Sequence, residues 1–90
     1  MQIEDILSSR GRVRILRILT EIGELNISEI VRRAKLNYTT TNQHLQALEA
    51  AGIICHKKFG RIRIFRLNEE NPRVRFIKKL IDFWGQTNKS

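Results

Sequence analysis

A run of hydrogen-bonding side chains without ionised groups extends from residue 38 to residue 46, with the sequence YTTTNQHLQ. Amides and hydroxyls both donate and accept hydrogen bonds, and an amide can bond bidentately to an adenine edge. A solvent-exposed helix surface usually carries Lys and Glu. The absence of both from this run favours a surface that recognises the hydrogen-bonding groups of a partner over an ordinary polar surface. The side chains predicted to point outward and contact bases are Tyr38, Thr39, Thr40, Asn42, Gln43 and Gln46.

A second group of residues with binding chemistry is a cluster of cations around Gly60. Gly60 permits a tight turn between two apolar runs, and four basic side chains would project around that turn. Such a tip can contact phosphates or insert Arg into a minor groove. The alternative is an edge hairpin protected by positive charge. The four predicted contacts are Lys57, Lys58, Arg61 and Arg63.

Catalytic and metal-binding patterns are absent from the sequence. There is one cysteine, Cys55, and there are two histidines, His44 and His56, at no metal-ligand spacing. No phosphate loop, HExxH or nucleophile elbow occurs. We therefore predict no enzyme activity, no metal, no cofactor and no evident small-molecule effector. We expect Cys55 to be packed, His56 to be exposed, and His44 to contact phosphate rather than the preceding helix.

These side chains must be positioned by helices and strands of the fold. Helices over 29–35 and 39–51, joined by residues 36–38, form a helix-turn-helix whose second member (38–51) would enter a major groove. Ser28 is the predicted cap of the first helix. In the second, Thr41, Leu45 and Leu48 follow helical spacing and are expected to face inward.

The flanking segments complete a winged arrangement. A short helix over 2–8 and a break near Gly11 precede a helix over 12–22, and residues 25–27 allow no more than a token strand. Strands over 53–58 and 62–67 form a hairpin. A last helix begins at Asn71 and Pro72 and stops at Gly85.

The predicted fold is therefore mainly α with a small β-hairpin (an α+β fold), a winged helix-turn-helix in the order α-α-α-α-β-β-α. One domain covers residues 1–90, with the helix-turn-helix at 28–52, the wing at 53–67 and a dimerisation helix at 71–85. We expect a cytoplasmic, nucleoid-associated protein with no membrane contact, since no apolar run approaches the length of a membrane span.

The charge of the chain is strongly asymmetric. The 90 residues carry a net charge of +8, with 7 basic and 6 acidic residues in 1–55 but 10 basic and 3 acidic in 56–90. Uniform solubilisation would not need that asymmetry, and a strongly basic segment attracts polyanions. Double-stranded DNA is the predicted partner.

The terminal helices carry more apolar residues than one buried stripe needs. The excess predicts a homodimer interface. The residues assigned to it are Ile3, Ile6, Leu7, Phe76, Ile77, Leu80, Ile81, Phe83 and Trp84.

From Leu7 to Leu67 the chain resembles ArsR-type winged-helix repressors, and more distantly MarR-type regulators. The matching stretches are RVRILRIL (12–19), ISEIV (27–31), LNYTTTNQHL (36–45), LEAAGII (48–54) and GRIRIFRL (60–67). The resemblance implies a dimer built from the terminal helices, with one recognition helix per protomer at a palindromic site. It also implies groove contacts from residues 38–46 and wing contacts from Arg61 and Arg63.

The resemblance does not extend to metal sensing. Metal-sensing relatives carry cysteines in the helix equivalent to 29–35, or His and carboxylates in the last helix, where this chain has only Asp82. A sequence-specific transcriptional regulator is the leading hypothesis. The alternatives are an architectural, chromatin-like protein that coats DNA and a winged module that binds another protein. The first would gain from Lys and Arg on the face over 38–46, which has none.

Overall fold

The computed structural model describes residues 1–87 of the chain. Its core is helical, and a small antiparallel sheet packs against it. The elements in chain order are α1 (Ile3–Leu7), α2 (Arg10–Ile22), β1 (Glu24–Asn26), α3 (Ile27–Ala34), α4 (Tyr38–Ala50), β2 (Ile54–Phe59), β3 (Ile62–Leu67) and α5 (Pro72–Thr87). The predicted winged helix-turn-helix order is confirmed.

The sheet has three strands rather than the two of the predicted hairpin. Its order is β1-β3-β2, and β1 pairs with β3 in the register Leu25↔Phe65. The segment that the sequence allowed only as a token strand thus covers the free edge of β3. A paired edge no longer presents open backbone groups to other chains.

The core gathers on α2, which buries Ile15, Leu16, Ile18 and Leu19. Side chains from every other helix and from β2 and β3 complete the cluster. In α4 the buried positions are Thr41, Leu45 and Leu48, so the predicted inward stripe is confirmed. Burial of that stripe sets which side of α4 faces outward.

Two predicted helix boundaries are wrong. α3 begins at Ile27, and its cap is Asn26 rather than Ser28, because the Asn26 side chain accepts a hydrogen bond from the Glu29 N–H at 2.9 Å. Asn26 also ends β1, so strand and helix meet without a linker. Gly85 does not stop α5, which continues to Thr87. Glycine in place of alanine costs a helix about 1 kcal/mol. The other residues of α5 favour the helix enough to offset that cost.

Gly11 is the third correction, because it lies inside α2 rather than at a break. The helix starts at Arg10, and Ser9 caps it by accepting from the Arg12 N–H. A Cβ on Gly11 would stand 2.8 Å from the His44 Nε2 and 3.3 Å from the Leu36 Cδ1. Gly11 thus leaves room for the His44 imidazole of α4 to pack against α2.

Gly11→Ala should lower the free energy of unfolding by about 1 kcal/mol. Overpacking against the imidazole costs about 1–3 kcal/mol, and alanine returns only about 1 kcal/mol of helix propensity. Gly85→Ala is the matched control, since its added Cβ meets nothing within 4 Å, and it should stabilise. Chemical denaturation at one protein concentration measures both. A Gly11→Ala variant as stable as Gly85→Ala would contradict the steric argument, and His44→Ala should relieve the Gly11→Ala defect.

Candidate nucleic-acid interface

The turn before α4 is built by side-chain and backbone caps. α3 ends at Lys35, which takes the left-handed conformation (φ 57°), and Asn37 caps α4 by accepting from the Thr40 N–H at 2.7 Å. The Arg14 Nη1–H donates to the Ala34 carbonyl at 2.7 Å, which ties α2 to the end of α3. These bonds define the start of α4 and attach the end of α3 to α2.

The outer face of α4 presents polar, uncharged groups to solvent. Tyr38, Thr39, Gln43 and Gln46 are exposed, and Thr40 is half-buried. No Lys, Arg, Asp or Glu lies between residues 38 and 46. This face can exchange hydrogen bonds with base edges of either donor or acceptor character.

Asn42 is less available than the sequence indicated. Its side chain is half-buried, and its Oδ1 is buried without a hydrogen-bond partner among residues 1–87. Bidentate bonding to adenine needs both the oxygen and the nitrogen of the amide. In this arrangement Asn42 cannot form that pair, whereas Gln43 and Gln46 expose complete amides.

The wing is the β2–β3 hairpin, and the predicted cations lie on both of its faces. Directly paired residues share a face, so Lys58 and Arg63 lie with the buried Phe65, and Lys57 lies on the opposite face with Ile64. The Arg63 guanidinium carbon is 5.4 Å from the Phe65 ring centroid. Lys58, Arg61 and Arg63 line one open cleft, together with His56.

A hydrogen bond that the sequence did not indicate joins the wing to α4. The His56 Nδ1 lies 2.5 Å from a carboxylate oxygen of Glu49, and the imidazole packs 5.3 Å from the Phe65 ring. His56 is therefore half-buried rather than exposed. The one sequence signal was Glu49 itself, the single carboxylate in α4.

His44 also departs from its predicted role. It does not point toward a phosphate site but lies against α2, where the Arg12 Nε–H donates to its Nδ1 at 3.2 Å. Burial, with a smaller contribution from the Arg12 charge, lowers the pKa of His44 below 6.5. The neutral imidazole is thus favoured, and it supplies no positive charge to DNA.

A large apolar surface lies on the terminal helices, away from α4. Val74 of α5 is fully buried and Ile77 and Ile81 are half-buried against the core, but Phe76 is 72% and Phe83 62% exposed. Ile3, Leu7, Leu80 and Trp84 are exposed as well. An apolar groove of about 500 Å³ runs between α1, α2 and α5.

Ile6 differs from the other residues assigned to the dimer interface. It is only 5% exposed and belongs to the core of the protomer. α1 is a helix of five residues, and it is attached to α2 by the buried Ile6 side chain and by the Arg12 Nη1–H, which donates to the Asp5 carbonyl at 3.0 Å. Ile6 therefore has little surface to offer a partner.

Within residues 1–87, no three His, Cys, Asp or Glu side chains come together as metal ligands would. None of the helices described there is long and apolar enough to cross a membrane. Cys55 is a free thiol, half-buried in β2.

A tight helical turn, an outward-facing polar helix and a cationic hairpin beside it define a winged helix-turn-helix protein. The match to the family model for bacterial regulatory proteins of the arsR family covers residues 9–55. The chain belongs to the ArsR family and is a DNA-binding transcriptional regulator. The resemblance noted in the sequence is confirmed.

Relatives with similar sequences are regulators too. An uncharacterised helix-turn-helix-type transcriptional regulator of Methanocaldococcus jannaschii is 32% identical over 71 residues, 79% of this chain and 78% of its own length. A homologue of the cadmium resistance transcriptional regulatory protein CadC from Staphylococcus aureus is 28% identical over 76 residues. That alignment covers 84% of this chain but 59% of the relative.

Solved structures of low identity share the fold. The transcriptional repressor BigR of Xylella fastidiosa superimposes with a TM-score of 0.79 at 21% identity, covering 96% of this chain and 82% of BigR. The homodimeric winged helix-turn-helix DNA-binding domain of Mb0332 from Mycobacterium bovis gives 0.72 at 23% identity, covering 96% of this chain and 77% of that domain.

The buried His44 should make folding stability depend on pH. Its pKa is lower in the folded protein than in the unfolded chain, so the folded state binds the proton less readily. The stability is fully present above the unfolded pKa and declines as pH falls through about 6.5 toward the folded value. Thermal unfolding of the wild type and His44→Gln between pH 8 and pH 5 tests this, because all other titrating groups are common to both. The wild type should lose more stability on acidification, and parallel curves would contradict the assignment.

Proposed function

We propose that this chain is a sequence-specific regulator that binds a two-fold DNA site as a homodimer. In this proposal α4 lies in the major groove, and the wing contacts phosphates beside it. The observation that carries the proposal is the uncharged, hydrogen-bonding outer face of α4 next to a cationic cleft. We assign the protein neither a catalytic role nor a metal or small-molecule effector, and we place it in the cytoplasm at the nucleoid.

Specificity is assigned to the exposed side chains of α4. Gln43 and Gln46 offer complete amides for base edges, and Tyr38, Thr39 and Thr40 can bond or make apolar contact at the start of the helix. Asn42 contributes a donor through its Nδ2, because its oxygen is turned inward. A good bidentate pair discriminates against the wrong base by about 1–3 kcal/mol.

Affinity is assigned to the cations of the wing. Lys57, Lys58 and Arg61 are exposed and make no hydrogen bond or ion pair within residues 1–87. They are free to replace counterions along the phosphates, and each phosphate neutralised steepens the salt dependence by about 0.9 in logarithmic slope. The contacts carry no sequence information themselves but hold the register of α4.

The homodimer is supported by the apolar surface of the terminal helices. Phe76, Leu80 and Phe83 recur at i, i+4 and i+7 on α5, so they form one exposed stripe beside the groove. A solvated stripe of this size is unusual for a monomer. The Mycobacterium bovis domain of the same fold is homodimeric. Two-fold pairing would present two copies of α4 to successive major-groove segments.

The proposal is tested by binding isotherms on genomic-fragment and random-sequence duplexes, with unlabelled competitor at two salt concentrations. A few fragments that resist competition by about 10³-fold or more would establish a sequence-specific regulator. Uniform, steeply salt-sensitive binding to every duplex would contradict it in favour of a coating protein. Absence of binding at both salt concentrations would leave the fold as a protein-interaction module.

Two substitutions should separate specificity from affinity. Gln43→Ala should lower the preference for a competition-resistant fragment over random duplex by about 5- to 100-fold and leave the salt slope unchanged. Arg61→Ala should weaken binding to both duplexes equally and reduce the salt slope by about 1.8, because the dimer loses one phosphate contact from each of its two wings. Competition titrations over a salt series measure both quantities. The assignment is wrong if Arg61→Ala alters the preference, or if Gln43→Ala alters only the slope.

A charge in the α5 stripe should separate the protomers. Leu80→Glu places a carboxylate in the proposed interface without disturbing the core, since Leu80 is already exposed. Sedimentation should show half the wild-type mass, and DNA affinity should fall by about 100-fold or more because two half-sites are no longer linked. Ile22→Glu is the control, because Ile22 is an exposed residue of α2 outside the proposed interface. A Leu80→Glu protein that remains dimeric would place the interface elsewhere.

A further inference from the structure

The tip of the wing carries two large apolar side chains that the DNA contacts described so far do not use. Phe59 is 62% and Ile62 is 53% exposed. They are direct cross-strand partners, the last pair of the hairpin before its turn. Exposed singly, such residues are ordinary, but here two adjoin at the most protruding point of the sheet.

The turn beyond this pair is as short as a hairpin allows. Only Gly60 and Arg61 separate the strands, with Gly60 at φ 63° and Arg61 at negative φ, the pattern of a type II′ turn. Such a tip is two strands wide, and neighbouring strands lie about 4.8 Å apart. The minor groove is about 6 Å wide and opens further when a protein binds in it. With its side chains the ribbon is wider than the undeformed groove, so the tip can enter only where the groove is widened, as it is when a wedge kinks the duplex toward the major groove.

The charges around the pair indicate its partner. Between residues 55 and 66 every ionised side chain is cationic, and no Asp or Glu occurs. Lys58 and Arg63 lie on the core-side face of the hairpin, whereas Phe59, Ile62 and Lys57 lie on the other. An apolar pair ringed by cations complements a groove whose walls are phosphate and sugar and whose floor is the stacked bases.

We propose that the Phe59–Ile62 pair is an apolar wedge that enters the minor groove beside the segment read by α4 and bends the DNA there. The wedge rests on the proposed function, because it acts only when α4 and the wing are on the same duplex. The wing cations on the flanking phosphates hold the tip in place. The pair then packs against sugars and partly opens a base step.

A second protein surface is a poorer occupant of this site. A stable protein interface buries about 800 Å² on each partner, which two side chains at the end of a ribbon cannot supply. The larger apolar surface of α1 and α5 lies on other elements. The wing pair instead matches the use of Phe and Ile as wedges in minor-groove proteins, which kink DNA by about 20–90°.

The wedge is tested by measuring DNA bending and binding together. The probe is a short duplex from a competition-resistant genomic fragment, labelled with a donor and an acceptor dye at its ends. The wild type should bend it by about 20° or more. Phe59→Ser should reduce the bend and weaken binding by about tenfold or more, the value of burying an apolar side chain of this size. The salt slope should stay unchanged, because no charge is removed.

Two controls frame this result. Phe59→Leu retains an apolar side chain and should preserve most of the affinity and bend. Ile22→Ser removes an exposed apolar residue of α2 and should change neither. Both Phe59 variants should unfold at the wild-type temperature, because Phe59 is largely solvated in the free protein.

Four outcomes would overturn the wedge, and they are distinguishable. If the wild type binds the duplex without bending it, or if Phe59→Ser binds and bends as the wild type does, the wedge is wrong and the regulator stands. If Phe59→Ser changes the sedimentation of the DNA-free protein, the pair contacts protein. If the wild type binds no duplex, the proposed function fails together with the wedge.

Discussion

One constraint governs the DNA-facing surface, the burial of a single stripe of α4 against the core. Thr41, Leu45 and Leu48 are at most 1% exposed, and they pack in the core that α2 centres. Successive residues of a helix are rotated by about 100°. A shift of one position would therefore bring Leu45 toward solvent and turn Gln46 inward. The identity of the reading face is thus decided by hydrophobic burial on the opposite side of the helix.

α4 is further restrained along its length by contacts with other elements. Asn37 caps its start, His44 accepts from Arg12 of α2 over the space left by Gly11, and Glu49 bonds to His56 of the wing. The last contact links the two DNA-facing elements directly. Because the Glu49 carboxylate of α4 is bonded to the His56 imidazole of β2, a rotation of α4 would also displace the base of the wing. The proposed reading of bases by α4 and the proposed phosphate contacts of the wing would consequently be coupled through this hydrogen bond.

The sequence predicted those elements whose defining residues lie close together in the chain. The spacing of Thr41, Leu45 and Leu48 lies within one segment, and so do the apolar runs of the hairpin. The predictions that were wrong concern residues whose contact partners lie far away in the chain. Nothing near Gly11 shows that His44, 33 positions later, needs the room of a missing Cβ. Likewise β1 is too short to be recognised alone, and it exists because β3 offers it an edge. The sequence did not predict the burial of Ile6. Ile3, Ile6 and Leu7 lie on one face of α1 at helical spacing, and the sequence does not show which of them reaches the core.

The charge asymmetry of the sequence also needs the structure to be interpreted. Much of the positive charge in α5 is engaged locally, since Lys78 pairs with Glu69 at 2.9 Å and Arg75 donates to the Glu69 carbonyl at 2.8 Å. Those cations bind the loop before α5 rather than a distant polyanion. In the wing, Lys57, Lys58 and Arg61 form no such bonds within the described residues. The wing cations are thus available to phosphates, as are exposed cations outside the wing such as Lys35, whereas Lys78 is paired within the protomer. In the proposed complex, the uncharged contacts of α4 and of the wing tip would add to the electrostatic attraction of these cations.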